Sequence, residues 1–256
     1  APFNLRENQN VDPKKRKIRQ EALQPVRQTY FERTATRALR RSLCQYPTQA
    51  AAQNAGMSLE EYEQFVFQAC QLYEDDPIAA WLQVRKEQQQ VVDFLNTKST
   101  VRYKNAHTDI EFSTKGRSWI NSDGQTNMPS GEMYTSPVED SVNGVIHFDY
   151  PGIYMGNEVE EVTLWVKDGW IEKWEARRGK DFLDQIFEMK GARRFGEAAI
   201  GNNFKVSKMT KNILFDEKIG GTVHMAIGQS YLQAGGQNES SVHWDMIAGM
   251  QKDGEI

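Results

Sequence analysis

The chain has 256 residues, enough for one large domain or two modest ones, and its 39% apolar and 26% charged content fits a folded soluble protein rather than a disordered one. A net charge of −4 weighs against a nucleic-acid partner, and no apolar run is long enough to span a membrane. The two cysteines, Cys44 and Cys70, lack metal-type spacing and form no framework, so they read as free or buried thiols of a reducing, cytoplasmic compartment. The amino end, Ala1-Pro2-Phe3-Asn4, has no basic start and no apolar stretch, unlike a signal peptide. It also lacks an initiator methionine, which reads as a piece of a longer protein.

The first part predicts helices. Asp12-Pro13 opens one, with Pro13 at its first position. From Lys14 to Leu43 the residues Ile18, Ala22, Leu23, Val26 and Tyr30 recur among charges in a partly amphipathic pattern, which Pro25 should kink or split. The basic clusters Lys14-Lys15-Arg16-Lys17 and Arg40-Arg41 read as solvated helix faces, given the acidic total. Gln49 to Ala55 is a short alanine-rich helix with Gly56 as its C-cap. Ser58-Leu59-Glu60-Glu61 is a capping box, and the helix behind it carries Tyr62, Phe65, Val66, Ala69, Leu72 and Tyr73 on one face. Asp76-Pro77 starts another, running to about Asn96.

After Thr97 the pattern changes to strands. Alternation appears in Thr100 to Lys104 and in Thr108 to Phe112. Val159 to Val166 and Trp170 to Ala176 flank Lys167-Asp168-Gly169, whose Asp-Gly is a hairpin signal. Asn127-Met128-Pro129 reads as a turn and Lys180 to Met189 as a short helix. Trp165, Trp170 and Trp174 cluster at the hairpin and read as core, with a subunit interface as the other reading. The expected fold class is α+β: a helical segment over residues 1–97, then a mainly antiparallel, twisted β domain over 98–256 that carries the site.

Successive side chains of a strand point to opposite faces. In Val242-His243-Trp244-Asp245-Met246, His243 and Asp245 therefore share one face, and the apolar residues share the other. In Thr222 to Gly228, His224, Ala226 and Gly228 share one side, against Val223, Met225 and Ile227. Glu132 stands with Tyr134 against Met133, and Glu197 follows Gly196 and precedes Ala198, small neighbours that let a ligand approach. Each piece alone is weak, since a lone strand histidine or glutamate is more often satisfied or solvated. Together they form an N/O donor set without thiolates, which suits two divalent cations; zinc, cobalt and manganese all tolerate it. His147 and Asp149 copy the His-x-Asp spacing but lack small neighbours, so they read as ordinary strand residues. Gly235-Gly236 reads as a loop lining the cleft or as a plain turn.

Several stretches resemble a known family. Ser130-Gly131-Glu132-Met133-Tyr134-Thr135-Ser136-Pro137, Phe195-Gly196-Glu197, the run from Leu214-Phe215-Asp216-Glu217-Lys218 to Gly228, and Val242 to Ile247 are similar to the aminopeptidase T and aminopeptidase S family of dinuclear metalloaminopeptidases. The likeness extends from roughly Asn10 to the end and includes Tyr46-Pro47-Thr48-Gln49 and Gly116-Arg117-Ser118-Trp119. The resemblance implies that Glu132, Glu197, His224, His243 and Asp245 bind two metal ions and that Tyr231, seven positions after His224, is catalytic. It implies that Glu217 is a ligand or the general base. It also implies a peptide substrate with a free N-terminus and a homodimer. The family's amino-terminal α/β domain, and a short segment after the last motif, appear absent here. Two rival readings stand beside this one: a structural or inactive metal-binding module, and a hydrolase of another amide or ester.

Overall fold

The protein, seen in a computed structural model, is described at residue 4 and over residues 11–256. Ala1 to Phe3 lie outside the described residues, as do the side chains at 14, 16 and 17 and with them most of the basic run Lys14 to Lys17.

Helices α1 (Pro13–Ala35), α2 (Gln49–Asn54), α3 (Leu59–Ala69) and α4 (Pro77–Leu95) precede a body of antiparallel sheets, the α+β class expected. The caps act as the sequence suggests. Ser58 accepts a hydrogen bond from the Glu61 amide at 3.1 Å, and Asp76 accepts from the amides of Ile78 and Ala79, each at 3.0 Å. Gly56 takes φ +66° just beyond α2. Pro25 does not split the helix: α1 runs through it and ends at Ala35, short of Leu43. Pro25 removes one amide from the ladder, and Ile18, Val26 and Phe31 are exposed along the same helix, which leaves this stretch open to solvent. Leu43–Cys44 (β1) instead pairs in parallel with Asn127–Met128 (β5), a short strand where a turn was expected. Among the described residues no helix is long and apolar enough to cross a membrane.

One sheet has the strand order β13 (His243–Gly249), β12 (Thr222–Gly228), β11 (Phe195–Gly201), β6 (Glu132–Thr135) and β4 (Ile120–Ser122), all antiparallel. The other runs β10 (Trp170–Arg178), β9 (Asn157–Lys167), β7 (Asn143–Phe148), β3 (Asp109–Ser113) and β2 (Thr100–Lys104), with β8 (Gly152–Tyr154) added against β9. The β9–β10 hairpin turns at Asp168 (φ +48°) and Gly169 (φ +72°), the two positive angles that a tight two-residue turn between right-twisted strands requires.

The apolar faces of the two sheets share one core. Tyr103, Phe112, Ile146, Phe148 and Leu164 meet Met133, Val223, Met225, Ile227, Trp244 and Met246 there. Burying each such side chain contributes about 1.5–3 kcal/mol, so this face fixes which way every strand of the first sheet is turned. A second apolar cluster lies elsewhere: Tyr62, Phe65 and Val66 of α3 pack with Leu214, Phe215 and Ile219. The hairpin tryptophans depart from the core reading. Trp170 is exposed beneath the Arg193 guanidinium at 4.8 Å, and Trp165 carries Lys173 at 4.2 Å, so cations rather than core side chains cover these rings. Trp174 is partly buried against the core and donates to Asp184 at 2.6 Å.

Candidate metal centre

The outward face of the five-stranded sheet gathers the polar residues. Registers align Asp245 and Glu197 on either side of Ala226, His243 beside Gly228, and His224 beside Ala199 and Ile247. Glu132 enters at the start of β6, opposite Gly201. Four strands thus deliver five acidic and imidazole side chains to one face, with alanine and glycine between them.

Glu197 reaches that face through an irregularity. Phe195 pairs with Ile227 and Glu197 with Ala226, so β11 advances two residues against one of β12. Without the slip, residues 195 and 197 would point the same way; with it, Phe195 enters the core and Glu197 turns to the site. Gly196 makes the slip possible, because a Cβ there would lie 2.2 Å from the Gln229 carbonyl oxygen.

The side chains converge closely. His224 Nε2 stands 3.5 Å from Glu132 Oε2 and 3.6 Å from Glu197 Oε1. His243 Nε2 stands 3.2 Å from Glu197 Oε2 and 3.8 Å from Asp245 Oδ1. Donor atoms of Glu132, Glu217 and His224 all lie within 4.8 Å of one another, and so do those of Glu197, His224 and Asp245. The cluster is buried at His224, whose side chain is 1% exposed, and more open at His243, which is 27% exposed. Tyr231 lines the open edge, its ring centroid 5.0 Å from those of both His243 and Tyr134. His147 stands apart from this cluster, bonded to Thr163 at 2.9 Å, and Asp149 accepts from the Gly249 amide at 2.8 Å.

The charges perturb each other. Burial pushes Glu132 up to about 7 against the pull of Lys218, and burial likewise raises Glu217 and Asp245. For Glu197 burial opposes the charge, but hydrogen bonds from His224 and His243 prevail and hold it well below the usual carboxylate range. Burial also opposes the charged forms of His224 and His243, and the neighbouring carboxylates overcome it and hold both above the usual imidazole range.

Three supporting residues carried no assigned role in the sequence reading. Lys218 is fully buried and joins Glu132, at 3.4 Å, to Glu217. Its signal was present in Phe215-Asp216-Glu217-Lys218-Ile219, three charges hemmed by apolar residues. Gln88 of α4, also fully buried, donates to Asn121 at 2.7 Å and to the carbonyls of Ser122 and Glu132 at 3.2 and 3.3 Å. Ser136 donates to the Gly196 carbonyl at 2.7 Å and accepts from the Tyr231 amide at 3.1 Å. One hydroxyl therefore ties the β11 irregularity to the backbone of Tyr231.

The residues fit a divalent cation. His243 Nε2 and Asp245 Oδ1 are buried without a well-formed hydrogen bond, and buried polar atoms seldom stay so. His243 Nδ1 lies 2.8 Å from the Gln229 carbonyl, an arrangement that fixes a proton on Nδ1, so that Nε2 becomes the lone-pair donor once its own proton is released. Oxygen and imidazole donors suit zinc, cobalt or manganese.

Aminopeptidase 2 of Geobacillus stearothermophilus is 29% identical over 246 residues, 81% of this chain and 59% of that one. Aminopeptidase AmpS of Bacillus subtilis is 30% identical over 214 residues, 72% of this chain and 52% of that one. Among solved structures, wild-type AmpT from Thermus thermophilus superposes with a TM-score of 0.65 at 28% identity, over 75% of this chain and 52% of that one. The chain spans about half the length of the curated relatives it matches. The model of the thermophilic metalloprotease family (M29) matches residues 1–255, and the chain belongs to that family.

Proposed function

We propose that this chain carries the catalytic centre of a metal-dependent aminopeptidase, which hydrolyses the first peptide bond of peptides with a free N-terminus. The observation that carries the reading is the convergence of Glu132, Glu197, His224, His243 and Asp245 on one sheet face, with buried atoms of His243 and Asp245 that lack a well-formed hydrogen bond. These five residues would hold two divalent cations. With both imidazoles neutral and all four carboxyls ionised, as ligation requires, four buried or nearly buried carboxylates, counting Glu217, less the one ammonium of Lys218 leave three negative charges, more than one divalent ion neutralises. Such cations, when bound, acidify water and polarise a carbonyl.

The chain's own groups supply the rest. Glu217, beside the cluster and with its affinity for a proton raised by burial, is placed to accept a proton and return it to the leaving amine. Burial holds the Tyr231 phenol well above its ordinary range, so it stays protonated and can donate to a developing oxyanion, a contact worth about 3 kcal/mol. The free thiols Cys44 and Cys70 support a cytoplasmic setting, and the family likeness supports a homodimer.

The test is elemental analysis of the full-length protein, together with cleavage of a leucyl peptide and its amine-blocked analogue. Two equivalents of metal and cleavage of the free-amine peptide alone are expected, both lost in His243→Ala and Asp245→Ala. Turnover of the blocked analogue would point to a different amide or ester hydrolase. Bound metal without turnover would point to a structural module.

A further inference from the structure

We infer that Glu139 is a positioning residue for Tyr231: its carboxylate, fixed by Arg117, clamps the loop that holds the phenol at the open edge of the metal centre. The inference rests on the aminopeptidase reading above and adds a residue that stands outside the cluster of acids and imidazoles.

Tyr231 belongs to the connection between β12 and β13 rather than to a strand. It opens a short turn, Leu232–Ala234, and Gly235 closes that turn at φ +88°. A phenol on a loop keeps its aim only if the loop's backbone is fixed. The Tyr231 carbonyl accepts from the amides of Ala234 at 3.1 Å and Gly236 at 3.0 Å, so the far limb of the loop, residues 234–238, sets the orientation of the near one. At the base, the Ser230 amide donates to the Asn238 carbonyl at 3.0 Å and the Asn238 amide donates to Ser230 Oγ at 3.2 Å.

The far limb is held from outside. Arg117 and Glu139 form an ion pair whose side chains are 7% and 20% exposed. Glu139 Oε2 meets the guanidinium, and Oε1 accepts from the Gln237 amide at 2.7 Å. The Glu139 carbonyl accepts from Arg194 at 2.5 Å, which anchors the residue at its backbone as well. Beside it the Ser118 amide donates to the Ala234 carbonyl at 3.1 Å, and Gly235 packs over Arg117, where an added Cβ would lie 3.4 Å from Cδ. Glu139 thus reaches Tyr231 through two successive amides: that of Gln237 is bound to the carboxylate, and that of Gly236 to the Tyr231 carbonyl. A buried ion pair adds little net stability by itself. Here its second oxygen goes to a backbone amide, and a charge-assisted bond of this kind is about twice as strong as a neutral one.

The experiment uses the full-length, metal-loaded protein and a leucyl peptide, with Glu139→Ala and Glu139→Gln made alone and in a Tyr231→Phe background. Glu139→Ala should lower kcat about tenfold, through a misaimed oxyanion donor, while KM moves less than about twofold and the metal content stays that of wild type. Glu139→Gln keeps an acceptor for the Gln237 amide and loses the charge; it should cost about threefold, and it carries the same comparison if the alanine variant does not fold. In the Tyr231→Phe background neither substitution should cost more than about 1.5-fold, because the effect runs through the phenol. Hydrogen exchange gives a readout independent of turnover: amides of 231–238 should exchange about tenfold faster in Glu139→Ala, with those of β12 and β13 unchanged. Unchanged kcat, losses that multiply with that of Tyr231→Phe, or exchange over 231–238 matching wild type would overturn the inference while leaving the aminopeptidase reading intact. Faster exchange over 231–238, with no peptide cleaved even by wild type, would overturn the aminopeptidase reading and leave the clamp standing.

Discussion

Replacing Lys218 with methionine isolates the electrostatics of the centre. The ammonium is wholly buried between Glu132 and Glu217, and methionine keeps most of the stem's volume, so the lost charge dominates. Removing one partner of a buried ion pair costs about 3–5 kcal/mol. The loss falls at the lower end here, because burial already raises Glu132 and Glu217 and either can take up a proton instead. At about 3 kcal/mol and 2–4 °C per kcal/mol, the melting temperature of the metal-free protein drops by about 6–12 °C. The pH dependence has a definite sign. A carboxyl whose pKa is raised on folding contributes stability while protonated and loses that contribution as pH rises through the folded value. Losing Lys218 raises both carboxyls further, so the variant's deficit is larger at about pH 8 than at about pH 6. Scanning calorimetry of metal-free wild type and Lys218→Met at both values gives the comparison, and added divalent cation should recover part of the deficit. A variant melting within about 1 °C of wild type at the higher pH would refute the reasoning.

Other consequences are equally direct. His224 and His243 hold protons at neutral pH in the metal-free protein, so metal binding should release about two protons and tighten as pH rises; calorimetry in buffers of different ionisation enthalpy measures the count, and a buffer-independent heat would contradict it. Ser136→Ala leaves the Gly196 carbonyl and the Tyr231 amide unpaired, and should cost about 2 kcal/mol in urea unfolding while lowering kcat more than it raises KM. Gln88→Ala removes the two amide N–H donors shared among Asn121 and the carbonyls of Ser122 and Glu132, and should cost about 2–4 kcal/mol, with a measurable loss of metal affinity by competition with a chelator.

The faces of the strands were legible from sequence because a period of two is a local property. His243 with Asp245, His224 with Ala226 and Glu132 with Tyr134 fall where alternation puts them. The helix caps at Ser58 and Asp76 and the Asp168-Gly169 turn were legible for the same reason. What sequence could not give was pairing between strands far apart in the chain. The slip at Gly196 depends on β12 as neighbour, and nothing within Arg194 to Ala198 announces it. Lys218 was missed because a run of charges ordinarily marks a solvated surface, whereas this one turns inward to meet the Glu132 carboxylate of β6. Of the two outcomes expected at Pro25, a kink or a split, the split does not occur: α1 continues through it.

The strands that present the acids and imidazoles are the same strands whose reverse side forms the sandwich interior. Val223 and Met225 flank His224, and Trp244 separates His243 from Asp245. Reactive geometry is thereby tied to the least deformable layer of the molecule, and a methyl group added or removed beneath β12 would be felt above it. Adaptation to new substrates would have to come from the rim, at segments such as 150–158 and 210–213, which line a cavity next to Asp245 without belonging to the five-stranded sheet.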